Sequence, residues 1–475
     1  MTIGQGGATV EVSSNNTLFP LTGTIVGPGA LNKTGPGTLA LSAGGNSFAG
    51  DDNVNAGTLR VVAAAAGSGN INLANGTTLE LTNNVIYSLT NGINVPSGAA
   101  AINLLLSTSV RYNGLLAGAG TVTISNPNQV IFNAPLTNFS GTLSFGTSPG
   151  YFQFNNSTND NPCAGSPFAT FDLGTSSATV SNLNGAGVTY DLGALSGGPN
   201  TILAGRATNN VTTNATSIYR IGANGNSTTF SGKIVDGIGA SSPVSVVKVG
   251  SGALLLNGVN TFSGGITVSN GTLGGNGSVA SALTVVPGAT LSPGASTGTF
   301  TVSNSATLGG TVLMELNQTG SPINDLLVVS GTITATGALV VTNIGPDLYN
   351  HTTFKLFSKP VSGFASITLP TSDPSNTKTY SWTTNLAVDG SITLESGGTI
   401  NPNPTNIVFG VTNGTLTLSW PVDHTGWRLQ AETNALSAGL NGNTWADVAG
   451  STNVNSLAIP VDANNGTVFY RLILP

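Results

Sequence analysis

The residues that could do chemistry are few and far apart. The 475-residue chain has two histidines, His351 and His424, and one cysteine, Cys163. Neither histidine has a cysteine or a second histidine near it, so the spacing of a zinc site or of a catalytic triad is missing. The 18 acidic residues are scattered, and the one adjacent pair is Asp51-Asp52. Glycoside cleavage needs two carboxylates held as a working pair. Asp51-Asp52 follows Phe48-Ala-Gly50, where a solvated turn is the expectation and a weak calcium site the alternative. The G-G-x-G-x-D calcium repeat is absent. No G-x-S-x-G elbow precedes a helix-forming stretch, and Gly271-Thr-Leu-Gly-Gly-Asn-Gly277 lacks the lysine and helix of a phosphate loop. We therefore expect no enzyme, no metal and no cofactor. All four tryptophans fall in the last quarter of the chain. An exposed indole stacks on sugars or anchors a partner, which makes Trp420, Trp427 and Trp445 the candidate partner or glycan contacts. The reading set against this one, and preferred to it, is that Trp420 and Trp427 fill the sandwich core and Trp382 packs over the last coil.

Composition narrows the classes of partner. With 12 Lys+Arg against 18 Asp+Glu, 6% of the chain is charged and the net charge is −6. No basic cluster exists, so nucleic acid, whose binding rests on counterion release, is not an expected partner. No apolar run approaches the roughly 20 residues of a membrane helix. Hydrophobic residues make up 39% of the chain, enough apolar surface to offset the entropy of ordering it. One cysteine gives no disulfide framework. Residues Met1 to Gly7 lack the charged and apolar regions of a signal peptide, so a leader is expected to lie outside this numbering or the chain to be a segment of a longer one.

Short runs of Val, Ile, Leu and Thr, punctuated by 65 Gly and 23 Pro, read as many brief strands. They repeat. Gly37-Thr-Leu-Ala-Leu41 returns as Gly57-Thr-Leu-Arg-Val61 and Thr78-Leu-Glu-Leu81, which places Leu39, Leu59 and Leu79 at a constant spacing of 20. Gly120-Thr-Val-Thr-Ile124 and Gly141-Thr-Leu-Ser-Phe145 carry the same phrase. A period of about 20 residues suits one coil of a β-helix, with the leucines in one inner column and Arg60 and Glu80 neighbours on the outside. Roughly 20 such coils at about 4.8 Å each would make a solenoid near 100 Å long. A longer unit also recurs. Leu31-Asn-Lys-Thr-Gly-Pro-Gly-Thr-Leu-Ala-Leu41, Asn46-Ser-Phe-Ala-Gly50 and Val54-Asn-Ala-Gly-Thr-Leu59 match Val246-Val-Lys-Val-Gly-Ser-Gly-Ala-Leu-Leu-Leu256, Asn260-Thr-Phe-Ser-Gly264 and Val268-Ser-Asn-Gly-Thr-Leu273. The phenylalanine corner appears four times, at Phe48, Phe139, Phe230 and Phe262; the ring is expected to fill the core and the following glycine to supply a positive φ.

These segments resemble the autotransporter-associated β-strand repeat, and at varying strength the resemblance covers residues 20 to 395. It implies a β-helical passenger-type surface protein. The chain reaches Leu474-Pro475 without a membrane-barrel pattern, so barrel-anchored export is not expected from these residues alone. A Gly/Pro stretch at 397–404 marks a hinge between a solenoid, 1–396, and a β-sandwich module, 405–475, whose alternating strands surround an Asn413-Gly414 hairpin turn. Leu416-Thr-Leu-Ser-Trp-Pro421, Gly426-Trp-Arg-Leu429 and Phe469-Tyr-Arg-Leu472 resemble a fibronectin-III-like module. The expected fold is all-β, a long β-solenoid followed by a small β-sandwich. The expected function is that of an extracellular structural protein, a rod or surface filament assembled through solenoid ends as a homo-oligomer; the alternative is an adhesin or glycan-binding protein on a β-helical stalk.

Overall fold

The computed structural model describes residues 1–62, 65–82, 87–105, 109–125, 129–147, 149–155, 163–183, 187–206, 216–237, 242–440, 442, 444–462 and 465–475. Among them helix is confined to three short 3-10 turns, Val422–His424, Leu436–Ala438 and Ser451–Asn453. The remaining elements are strands, and the chain divides into two compact units.

The first unit, Met1–Leu313 with Leu327–Ala338 and Gly363–Ala365, is the solenoid. Its spine is a sheet of 15 parallel strands, from Leu18–Leu21 to Ile333–Ala335. Each strand bonds the equivalent strand of the next coil, so the backbone ladder runs along the stack and inward side chains pile in columns. Leu39 lies on Leu59 and Leu59 on Leu79, and the column continues through Ile102 to Ile124. Leu39, Leu59 and Leu79 are all buried. Arg60 and Glu80 meet on the outer face with Nε 2.8 Å from Oε2.

Two expectations need correction. The long sheet holds 15 strands, not about 20, so at about 4.8 Å per step the ladder extends roughly 70 Å. Coils are not uniform. Leu39 to Leu59 is a step of 20 residues, Ser144 bonds Asp172 across a step of 28, and Ile266 pairs with Leu283 across 17. The wide middle coils enclose more space, and aromatic rings fill it. Tyr112, Phe132, Phe154, Tyr190 and Tyr219 form a continuous row with successive centroids 6.2, 6.2, 5.8 and 5.6 Å apart. Only rings close such a span at interior packing density.

The second correction concerns the phenylalanine corner. Phe48, Phe139, Phe230 and Phe262 are all fully buried, as expected. The glycine two residues on does not, however, adopt a positive φ, which Gly50, Gly141, Gly232 and Gly264 all lack. It is required by close approach: a Cβ on Gly141 would fall on the carbonyl oxygen of Gly120 in the preceding coil.

The second unit comprises Met314–Leu326, Leu339–Ser362 and Ser366–Pro475. Strands Thr353–Lys355, Ser391–Ser396 and Ser381–Asn385 form an antiparallel sheet, on which Trp382 packs against Phe354 and Tyr380 and donates its indole N–H to Pro370 O at 2.7 Å. Beyond residue 405 come two antiparallel three-stranded sheets. One holds Val408–Thr412, Thr415–Ser419 and Ser456–Pro460; the other holds Ala446–Asp447, Arg428–Asn434 and Thr467–Ile473. Asn413 and Gly414, at φ 50° and 76°, make the hairpin turn that the Asn-Gly pair dictates. Leu418, Trp420 and Leu429 form the core, with Ile407, Leu416, Val448, Ile459, Tyr470 and Leu472 packed around it. Among the described residues six strands stand where sandwiches of the fibronectin-III type usually carry seven.

The column and its outer neighbours differ in weight. Truncating Leu59 to Ala opens a cavity in a closed stack and is expected to cost about 2 to 5 kcal/mol. Arg60→Ala breaks a half-exposed ion pair worth about 0 to 1 kcal/mol and is expected to leave the melting temperature nearly unchanged. Thermal unfolding of the two variants side by side measures the difference, and equal losses would mean that the register is wrong.

Candidate functional site

Strand alternation places two lysines of the repeat inside. Leu31 and Lys33 share a face, as do Val246 and Lys248, and both lysines are buried as completely as the apolar residues beside them. Among the described residues no acid is their partner. Lys33 Nζ donates to the carbonyls of Thr34, Gly35 and Ala56 at 2.9, 2.7 and 3.0 Å. Lys248 Nζ donates to Val249, Gly250 and Asn270 at 2.7, 2.9 and 3.1 Å. The two copies thus build one device, a corner in which an ammonium gathers two carbonyls of its own turn and one from the next coil. The glycine after each lysine, Gly35 or Gly250, holds φ near 70°, which turns the carbonyls toward it. Burial pushes Lys248 down to about 8 and lowers Lys33 as well, which is the cost of removing the charge from water.

The repeat asparagine does a related task. Asn260 Oδ1 accepts from Ile234 N at 2.9 Å, while its Nδ2 donates to Gly258 O and Ser278 O at 3.0 Å each. Asn46 accepts from Ile25 N and donates to Ala65 O in the same sense. Each side chain therefore ties the coil before it to the coil after it. Sequence reasoning quoted these lysines and asparagines within the repeat and gave them no role. The signal was the parity of Lys33 with Leu31 in a chain where charge is rare.

Asp51 and Asp52 do not form a solvated turn pair, nor a calcium pair, because alternation sends them to opposite faces. Asp51 points outward and accepts from Asn70 N at 2.8 Å and Asn72 Nδ2 at 3.0 Å. Asp52 points into the column between Leu31 and Ile71 and is 2% exposed. Burial, reinforced by the neighbouring Asp51 charge, raises its carboxyl from 3.8 to about 7. Cys163 is buried, and burial pushes its thiol up to about 12.

The histidines lie apart. His351 Nδ1 is 3.8 Å from Glu395 Oε2. His424 is buried, with Nδ1 2.8 Å from Asp423 Oδ1 and Nε2 2.7 Å from Asn403 O. Asn401 joins the same knot, donating to Asp423 Oδ2 at 2.6 Å and accepting from Trp427 Nε1 at 2.8 Å. The Gly/Pro stretch 397–404 is therefore tied to the module that follows it. Among the described residues no group of three or more His, Cys, Asp and Glu side chains could hold a metal ion.

Burial answers the tryptophan question for two of the three rings. Trp420 is 3% exposed in the sandwich core, and Trp427 is 7% exposed against His424. Neither offers a ring face to a partner; both pack inside the module, as the core reading of the sequence has them. Trp445 is half-buried, and one face is taken by the Arg471 guanidinium 4.3 Å from its centroid. A polar chain holds that cation: Arg471 Nε donates to Gln430 at 2.9 Å, Gln430 to Asp447 at 2.8 Å, and Arg428 to Asp447 at 2.7 Å.

Residues 31–61 and 246–274, the two segments that carry the lysine corners, match the passenger-associated-transport-repeat family. Over 202 residues the chain is 30% identical to the adhesin BmaC autotransporter of Brucella suis biovar 1 (strain 1330), an alignment that takes in 40% of this chain and 6% of that protein. The chain thus spans a small fraction of that relative's length. The crystal structure of the Haemophilus influenzae Hap adhesin aligns with 82% of this chain and 59% of its own at 12% identity, with a TM-score of 0.23.

Two outcomes follow from this geometry. Lys248→Met keeps the stem but leaves three carbonyls without a donor, and chemical denaturation is expected to show a loss of about 2 to 4 kcal/mol; wild-type stability would refute the corner's role. Asp52 keeps in the folded chain a proton that the unfolded chain sheds above about 3.8, so stability falls as pH rises from 3.8 to about 7 and is level beyond. Asp52→Asn, which mimics the protonated acid, is expected to raise the melting temperature at pH 7.5 by several degrees and to flatten its slope between pH 4 and 7.

Proposed function

We propose that the chain is a non-catalytic, passenger-type protein of the cell surface, whose stapled solenoid holds an adhesive surface outside the cell. The observation that carries this reading is the pair of passenger repeats folded into the same lysine corner 215 residues apart, Lys33 and Lys248. The similarity to an autotransporter adhesin supports it. So does the scarcity of charge: a solenoid with 6% charged residues keeps its outer surface wet with Asn, Thr and Ser, groups that bond neutral partners as readily as water.

A second reading, assembly of solenoid ends into a filament, draws on one observation. Phe19 stands at the foot of the Leu39 column yet is 46% exposed, with Leu18 exposed beside it. A coil of a second copy laid on this strand would cover both and pair its open edge.

Coating the purified chain on beads and counting attachment to host epithelial cells tests the first reading. Attachment well above that of beads carrying an unrelated β-protein is expected, and parity would end it. Light scattering across concentration tests the second: association that Phe19→Glu abolishes is expected, and a strictly monomeric wild type would end the filament.

A further inference from the structure

Strand Gly165–Asp172 breaks the register of the long sheet. Gly165 and Ser166 pair with Asp191 and Leu192, and then Thr170 pairs with Ala194. Four steps along one strand thus face two along the other, and the surplus is pushed out as a bulge at Pro167 and Phe168. Bulges re-aim side chains at functional places. Here the product is a phenylalanine that is 55% exposed on the flank of a solenoid whose other middle-coil rings are chiefly buried.

The bulge is held, not loose. Ser166, fully buried, donates from Oγ to Phe139 O at 2.9 Å and accepts from Phe168 N at 3.2 Å. The turn after strand Ser217–Ile221, two coils on in the same sheet, is fastened to it: Asn224 Nδ2 donates to Phe168 O at 3.5 Å and Thr170 Oγ1 at 3.2 Å, Asn226 Nδ2 to Thr170 Oγ1 at 3.4 Å, and Asn224 N to Gly193 O of the intervening coil at 3.1 Å. Beneath lies Gly193, where a Cβ would meet Ala169 O at 2.5 Å and Pro167 O at 2.7 Å, so only glycine lets the bulge sit down. Bonds on both sides fix where the ring stands before anything binds, which lowers the entropy lost on binding.

The company this ring keeps decides its ligand. A protein hot spot is an aromatic anchor inside an apolar pocket. The groups tied to the Phe168 bulge are instead two amides and a hydroxyl, Asn224, Asn226 and Thr170, with the Arg220 and Asp191 ion pair, 3.2 Å apart, opposite Gly165 in the same ladder. An aromatic face stacks on the C–H side of a sugar ring, and amides and hydroxyls bond its hydroxyls. Arg220 is already paired with Asp191, and no other cation among the described residues is tied to the bulge to recruit a sulfate or carboxylate. We propose that the Phe168 bulge with Asn224 and Asn226 is a binding platform for a neutral glycan, an inference that rests on the adhesive reading and places its contact on the solenoid flank instead of the tryptophan-bearing module.

The full chain on a printed array of neutral oligosaccharides, followed by calorimetry on the strongest binder, tests it. We expect saturable binding that Phe168→Ala weakens at least tenfold at an unchanged melting temperature, that Phe168→Tyr retains, and that Trp445→Ala leaves alone. Tyrosine keeps the ring, so its retention separates stacking from folding should the alanine variant lose stability. Binding indifferent to Phe168→Ala, or lost with Trp445→Ala, would overturn the platform and leave the adhesive reading standing. So would attachment to cells without binding on the array. Failure of both would overturn the two together.

Discussion

Everything in the solenoid depends on one alignment: each coil must return its backbone opposite the coil before, residue for residue, because the hydrogen bonds that satisfy it run from coil to coil. The columns Leu39, Leu59 and Leu79 make that return favourable by burying apolar surface, but burial is non-directional and a slip of two residues keeps the same face inward, so the column alone resists such a slip weakly. Directional bonds fix what the hydrophobic effect leaves loose. Lys33 and Lys248 each gather carbonyls from two coils, and Asn46 and Asn260 each reach the coil on either side. An amide or ammonium buried without partners would be costly, so these side chains make the wrong register worse than the right one.

That accounts for why a charge-poor chain buries some of its charge. Lys33, Lys248 and Asp52 are all buried in the coils, whereas a surface-wetting role would have put them outside. The lysines are satisfied by carbonyl oxygens, dipoles fixed by the turns themselves. Asp52 is different. It sits in an apolar column where the second repeat copy has Ile266, and its raised pKa marks it as a group that burial holds near neutrality. The same strand position can therefore hold an aliphatic or a protonated acid, and the choice sets how stability responds to pH.

What was legible in the sequence was what repeats at fixed period. Leu39, Leu59 and Leu79, the Arg60 and Glu80 pair and the Asn413-Gly414 turn follow from spacing and local backbone chemistry, and the structure has them so. The strands of the C-terminal module were visible for the same reason. Coil count was not, because the middle coils lengthen through insertions that no period announces, with Ser144 and Asp172 bonding across 28 residues. The glycine of the phenylalanine corner was assigned the wrong reason, since close approach between coils is a tertiary fact. The bulge at Phe168 lay hidden too: Ser166-Pro-Phe168 reads as an interrupted strand until Asn224, 56 residues on, is seen to hold it.

The two repeat copies also show what the repeat specifies. In the first, the lysine strand Leu31–Thr34 lies in a six-stranded sheet and the following strand Thr38–Leu41 in the long sheet. In the second, the lysine strand Val244–Lys248 lies in the long sheet and Ala253–Leu256 in a seven-stranded one. The same residues thus serve different sides of the coil. What they encode is a corner, a buried cation turning the chain from one sheet to the next, and the side it starts from is set by the coils before it. Between the copies the sheets are free to widen, change partners and carry aromatic fillers. A bulge such as that at Phe168 can arise there without disturbing either corner, because each corner draws its carbonyls only from its own coil and the one that follows.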